Sequence, residues 1–115
     1  MGQLGINDYF HRNTPSYVPS INIIQISAGG YFSLLLNNNG NVLSFGENTV
    51  NYITFNKLKN GQLGLGNNSA STIPYTTIIP NTNNIIQISA GGHHSLLLDS
   101  FGNVFSFGWN RVNYI

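Results

Sequence analysis

Adjacent imidazoles are the first candidates for chemistry in this chain of 115 residues: His93 and His94 could join His11 around a divalent metal, since neutral imidazole is a common metal ligand. The pair opens an apolar run, and neighbouring strand residues point to opposite faces, so the two rings cannot chelate together from regular β geometry. Gly61-Gln62-Leu63-Gly64-Leu65-Gly66 has the glycine density of a phosphate cradle. No Lys-Ser/Thr pair and no helical pattern follows it in Asn67 to Thr72, so a turn is expected there. The carboxylates are Asp8, Glu47 and Asp99 alone, and Asp99 opens a turn, where it stabilises local structure rather than performing acid-base work. Ser33 and Ser95 lie within strand patterns without a partnered base, so no serine nucleophile is expected. The expected catalytic, cofactor-binding and metal-ligating sets are therefore empty, and the chain is expected not to be an enzyme.

The elements that carry these residues come from a poorly charged sequence. Charged residues make up 6% of the chain, against about 25% in an ordinary soluble domain, so Asn, Ser and Thr supply most of the polar surface. The net charge is +1, and its longest basic cluster is Lys57 with Lys59. Nucleic-acid binding needs several phosphates neutralised on one surface, which this inventory does not supply. The absence of cysteine removes disulfides and thiolate-metal frameworks. No apolar run approaches the roughly 18 residues of a membrane span and no signal-peptide pattern opens the chain, so an intracellular setting, cytoplasm or nucleus, is expected.

Internal repetition organises the chain. Asn22-Ile23-Ile24-Gln25-Ile26-Ser27-Ala28-Gly29-Gly30 returns unchanged from Asn84 to Gly92, an offset of 62 (84 − 22). The same offset links Ser33-Leu34-Leu35-Leu36 to Ser95-Leu96-Leu97-Leu98, and Ser44-Phe45-Gly46 to Ser106-Phe107-Gly108. Upstream, Gly2-Gln3-Leu4-Gly5 matches Gly61-Gln62-Leu63-Gly64 at an offset of 59, so three residues are added before the second shared block. Such length changes belong to loops.

Each unit reads as short antiparallel strands. Ile23 to Ala28 has period-two alternation, Ser33 to Leu36 is apolar on both faces as in an inner strand, and Asn39-Gly40 fits a hairpin turn into Val42 to Phe45. A Pro-containing segment precedes each trio: Ser16 to Val18 could pair briefly at an edge, and Ile73 to Pro80 is its counterpart. Four short strands at this period are the signature of a β-propeller blade.

The residues resemble the regulator of chromosome condensation repeat family. The shared pattern is Gly61-Gln62-Leu63-Gly64, Pro74, Ala90-Gly91, His94-Ser95, Leu96 to Leu98, Gly102 and Phe107-Gly108-Trp109-Asn110. The resemblance places His94 in a structural position beside a turn. Phe32 replaces that His in the first unit, and Phe45 and Phe107 replace a common Trp. Between Asn48 and Gly61 the chain carries about ten residues beyond the family spacing, and Val50-Asn51-Tyr52-Ile53 of that insertion reappears as Val112-Asn113-Tyr114-Ile115.

The expected fold is all-β, a partial propeller of two four-stranded antiparallel blades: residues 1–60 with insertion 49–60, and residues 61–115, incomplete at the C-terminal end. Family members close about seven blades, so two blades leave apolar faces open. The chain is thus expected to be a fragment of a longer propeller or to complete a ring by self-association. The resemblance implies a macromolecule-binding scaffold or adaptor with a protein partner. Guanine-nucleotide exchange on a small GTPase and a non-functional truncated repeat product are the alternatives. The expected partner-binding residues are Tyr52, Phe55, Lys57 and Lys59 in the insertion, with Trp109 and Arg111 at its counterpart. Aromatic, aliphatic and basic groups on an enlarged connection are what a binding loop presents.

Overall fold

Tight turns at glycine and asparagine cut the chain into strands of three to six residues, described in a computed structural model over residues 2–51, 57–59, 61–66 and 73–110. The strands are β1 (Ile23–Ala28), β2 (Phe32–Asn37), β3 (Val42–Gly46), β4 (Thr49–Asn51), β5 (Lys57–Lys59), β6 (Ile73–Ile78), β7 (Ile85–Ala90), β8 (His94–Asp99) and β9 (Val104–Gly108). They form three antiparallel sheets, β1-β2-β3-β6, β4-β5 and β7-β8-β9. The fold is all-β and built of propeller blades. The first blade has its four strands, and the second has three among the described residues.

The sheets do not follow the repeat boundary. β6 lies beyond residue 60, yet it pairs with β3 through Leu43 opposite Ile78 and Ser44 opposite Thr77, closing the first blade. The expected edge pairing of Ser16 to Val18 is absent, since these residues belong to no sheet. The physical reason is the same phase: Pro15 stands 59 residues before Pro74, and a segment at this place in the unit pairs with the blade preceding its own.

Turns are closed by side chains at matching positions. Asn37 Oδ1 accepts the amides of Asn39 and Asn41 at 3.0 and 2.9 Å. Asp99 Oδ1 accepts those of Phe101 and Asn103 at 2.9 and 2.8 Å, and its Oδ2 accepts Asn103 Nδ2 at 3.0 Å. Desolvation opposes ionisation of Asp99, but the hydrogen bonds from Asn103, Phe101 and Gly102 outweigh it and hold the carboxyl below its ordinary range.

The core lies between the blades. Phe32, Leu34, Leu36 and Val42 of the first meet Leu63, Ile79, Ile85, Ile88 and Leu97 of the following stretch. Polar groups on β1 complete the contact: Gln25 Nε2 donates to the Ile88 carbonyl at 3.3 Å, Gln25 Oε1 accepts the Ile88 amide at 3.2 Å, and Ser27 Oγ accepts the Ala90 amide at 2.9 Å. β1 thus alternates as expected, with Gln25 and Ser27 half-buried toward the next blade while Ile24 and Ile26 are exposed. The Gly30 amide reaches the Gly91 and Gly92 carbonyls, and a Cβ on Gly30 would stand 2.7 Å from Gly92 O.

Two consequences are measurable. Gly30→Ala forces backbone apart and should cost about 1–3 kcal/mol by denaturant unfolding in dilute solution, whereas Gly92→Ala, with nothing within 4 Å of its added carbon, should lie within about 0.5 kcal/mol of the parent. The second concerns pH. A depressed carboxyl contributes stability above the unfolded value of about 3.9 and loses it as pH falls through the folded value. The stability difference between the parent and Asp99→Asn should therefore be constant above about pH 5 and shift against the parent below about pH 4.

Candidate functional site

Both blades release the chain at the same point. Gly46 and Gly108 adopt φ of 111° and 117°, which only glycine takes readily, and a Cβ would stand 2.5 Å from the Tyr31 or His93 carbonyl. The next amides, of Glu47 and Trp109, donate to those carbonyls at 2.8 Å each. On the first blade the released chain becomes the hairpin β4-β5, with Thr49 opposite Lys59, Val50 opposite Leu58 and Asn51 opposite Lys57. The insertion thus forms its own two-stranded sheet at the blade's exit.

Its neck is clamped. Asn48 Oδ1, before the hairpin, accepts the Leu63 amide at 3.1 Å after it, and Ser44 Oγ donates to the Leu63 carbonyl at 2.8 Å. The Gly-Gln-Leu-Gly turn held there closes on itself, with the Gly64 amide donating to Gly61 O at 2.9 Å, and Gln62 and Leu63 are buried. Ser95 Oγ reaches Gln62 O at 3.3 Å, as Ser33 Oγ reaches Gln3 O at 3.2 Å. The motif is thus a wedge between blades whose Leu63 and Gly64 amides are engaged within the protein, and the strand serines hold it.

The sequence-predicted binding residues distribute as follows. Lys57 and Lys59 occupy β5, at register positions opposite Asn51 and Thr49. Trp109 stands half-buried at the second blade's exit, edge-on to His93 with ring centroids 5.3 Å apart at 64°. Tyr52, Phe55 and Arg111 lie outside the described residues. His93 lies just before β8 with its ring against Trp109, while the ring of His94 lies over Gly91 as that of Phe32 lies over Gly29.

The carboxylates are used locally and apart. Asp8 accepts the Phe10 amide at 3.0 Å and pairs with Arg12 at 2.6 Å, contacts that hold it below its ordinary value. Glu47 is buried, and desolvation pushes its carboxyl up, only partly offset by nearby positive charge that includes His93. Sequence reasoning missed a groove of about 570 Å³ on the outer face of the first blade, lined by Leu4, Ile6, Ile23, Ile26 and Leu35. Its signal was present in the repeat offsets, because each of these five residues has a counterpart in, or packed against, the core between the blades.

Among the described residues no helix is long and apolar enough to cross a membrane. A profile of the regulator of chromosome condensation (RCC1) repeat matches residues 23–51 and 85–113, and a second profile of the same repeat matches residues 1–36 and 58–98. The RCC2 homolog of Xenopus laevis is 33% identical over 110 residues, covering 93% of this chain and 20% of the relative's length. Human WBSCR16 superimposes with a TM-score of 0.75 at 20% identity, covering 93% of this chain and 26% of the other. Prp20p of Saccharomyces cerevisiae, whose structure is described together with binding to Gsp1p and histones, superimposes at 0.68 with 23% identity, covering 93% and 26%. The chain thus spans about a fifth of the curated relative's length. Carrying the repeat twice, in sequence and in the pairing of its strands, the chain belongs to the regulator of chromosome condensation repeat family.

Proposed function

We propose that this chain is an intracellular protein-binding module, a scaffold or adaptor, whose contact is the insertion 49–60 together with the corresponding exit of the second blade. The observation that carries this reading is the separate pairing: among the described residues β4 and β5 pair with each other and with neither blade, so the insertion stands as a feature added to the blades. Its composition suits an interface. Tyr52 and Phe55 supply aromatic area, Lys57 and Lys59 supply charge, and Trp109 and Arg111 add the residue types richest in interface anchors.

Exchange activity on a small GTPase is the second reading, favoured by the described binding of Prp20p to Gsp1p. It calls for further blades beside these two. Binding through an exit loop needs only the frame already described.

Deleting residues 49–60 joins Asn48 to Gly61 while keeping the atoms of the Asn48–Leu63 clamp. The shortened chain should unfold within a few degrees of the parent. In quantitative pull-down from cell extract, proteins retained by the parent should fall about tenfold or more. Retention undiminished by the deletion removes the insertion from the interface. Nucleotide release across a panel of small GTPases should be the same with and without the parent chain, and acceleration by the parent would establish the second reading instead.

A further inference from the structure

The two ends of the molecule expose the two halves of the contact that joins its blades. Within the chain, Phe32, Leu34, Leu36 and Val42 form one half, and Leu63, Leu65, Ile85, Ile88 and Leu97 belong to the other. Moving the first half by 62 residues gives His94, Leu96, Leu98 and Val104 on the second blade. Val42 is fully buried, whereas Val104 is 65% exposed and Leu96 42% exposed. Moving the second half back, by 59 for the wedge and 62 for the strands, gives Leu4, Ile6, Ile23, Ile26 and Leu35. These five residues line the groove of about 570 Å³ on the first blade, and Ile26 is 73% exposed where Ile88 is 4%.

We propose that a second copy of this chain docks head to tail, the second blade of one copy entering the groove on the first blade of the next and repeating the contact already made within each chain. The inference rests on reading the chain as a propeller piece and names the occupant of its open faces. The apolar halves match by construction, because the two blades are copies of one unit. The polar part matches as well. Gln87 and Ser89 are exposed on β7, positioned as Gln25 and Ser27 are on β1, and they meet the main chain of Ile26 and Ala28 of the next copy as Gln25 and Ser27 meet Ile88 and Ala90.

Space and strand pairing agree with this placement. Gly30 is crowded by Gly92 O, while Gly92 itself has nothing within 4 Å, which leaves room for the next copy's Gly30. The outer edge of β9 corresponds to the edge of β3 that takes β6, and residues 14–19, the counterpart of β6, belong to no sheet in their own chain. In the docked pair these residues lie against β9 of the neighbour. The association is heterologous, so it propagates until the rotation closes.

Light scattering behind size-exclusion chromatography, applied to the full chain across a dilution series, tests the proposal. Ile26→Asp spoils the groove and Val104→Asp spoils the inserting face. Both positions are exposed in the single chain, so each variant should keep the parent's circular dichroism, and its unfolding midpoint should equal that of the parent diluted to monomer, where association no longer stabilises the fold. The parent should associate with concentration, and each variant alone should run as a monomer, with association weakened about 100-fold or more by the buried charge. An equimolar mixture should form a dimer and nothing larger, because one intact groove meets one intact face. A parent that stays monomeric, leaving its faces to flanking repeats of a longer chain, overturns the proposal, as does a mixture that fails to dimerise or a single variant that associates like the parent. The chain lacking residues 49–60 should associate as the parent does, so this proposal and the adaptor reading fail on separate measurements.

Discussion

The fold depends on how a strand at the edge of one sheet has its main chain satisfied by side chains of another. β7 is the first strand of its sheet, and its outer edge would leave Ile88 and Ala90 without partners on that side. Gln25 supplies both a donor and an acceptor to Ile88, imitating the paired bonds of a neighbouring strand, and Ser27 takes the Ala90 amide. Main-chain groups buried without partners cost about 1–3 kcal/mol each, so this arrangement decides whether the blades can meet at all. Once they meet, Leu34, Leu36 and Val42 are sealed against Ile88 and Leu97. The polar contact and the apolar layer are therefore a single cooperative unit, and neither blade has a core of comparable extent without it.

The same geometry separates constant from variable parts. The Gly-Gln-Leu-Gly wedge is fixed from both sides, by Ser44 and Asn48 of the preceding blade and by Ser95 of the following one. Between Asn48 and Gly61 the chain is free to lengthen, because the clamp holds the neck whatever the loop contains. That is why twelve residues, 49–60, enter without disturbing the register of β3 with β2, which runs unbroken from Phe32 opposite Gly46 to Leu36 opposite Val42. A frame of this kind accepts new contacts at its exits with little effect on its stability.

Much of this was legible in the sequence because duplication prints the same solution twice. Period-two alternation in Ile-Ile-Gln-Ile-Ser-Ala and the apolar Ser-Leu-Leu-Leu run located the strands, and the Asn-Gly and Asp turn residues located the hairpins. The phase of the blades was harder, since local pattern marks a segment as a strand without saying which sheet it joins, and β6 joins the sheet before its own unit. The direction of β1 was also hidden. Hydrophobicity alone would turn Ile24 and Ile26 toward the core, but the edge of β7 requires polar partners, so Gln25 and Ser27 face inward and the isoleucines face out. The groove was hidden from local pattern and shows only through the repeat offsets, its walls including Ile26 and other counterparts of residues that are buried elsewhere in the chain.

A unit whose last strand is contributed by the unit behind it can never be complete in isolation. Among the described residues, one end carries a segment without a sheet, here residues 14–19, and the other carries a sheet edge without its segment, here β9. Closing a ring abolishes both ends at once, which is how propellers manage the hazard of exposed edges. In this chain the two ends were copied from one unit, so they are complementary to each other and not merely unpaired. The exposed Ile26 of β1 and the exposed Val104 of β9 follow from that one constraint: their counterparts Ile88 and Val42 are buried in the contact between the blades, so each is half of such a contact turned outward.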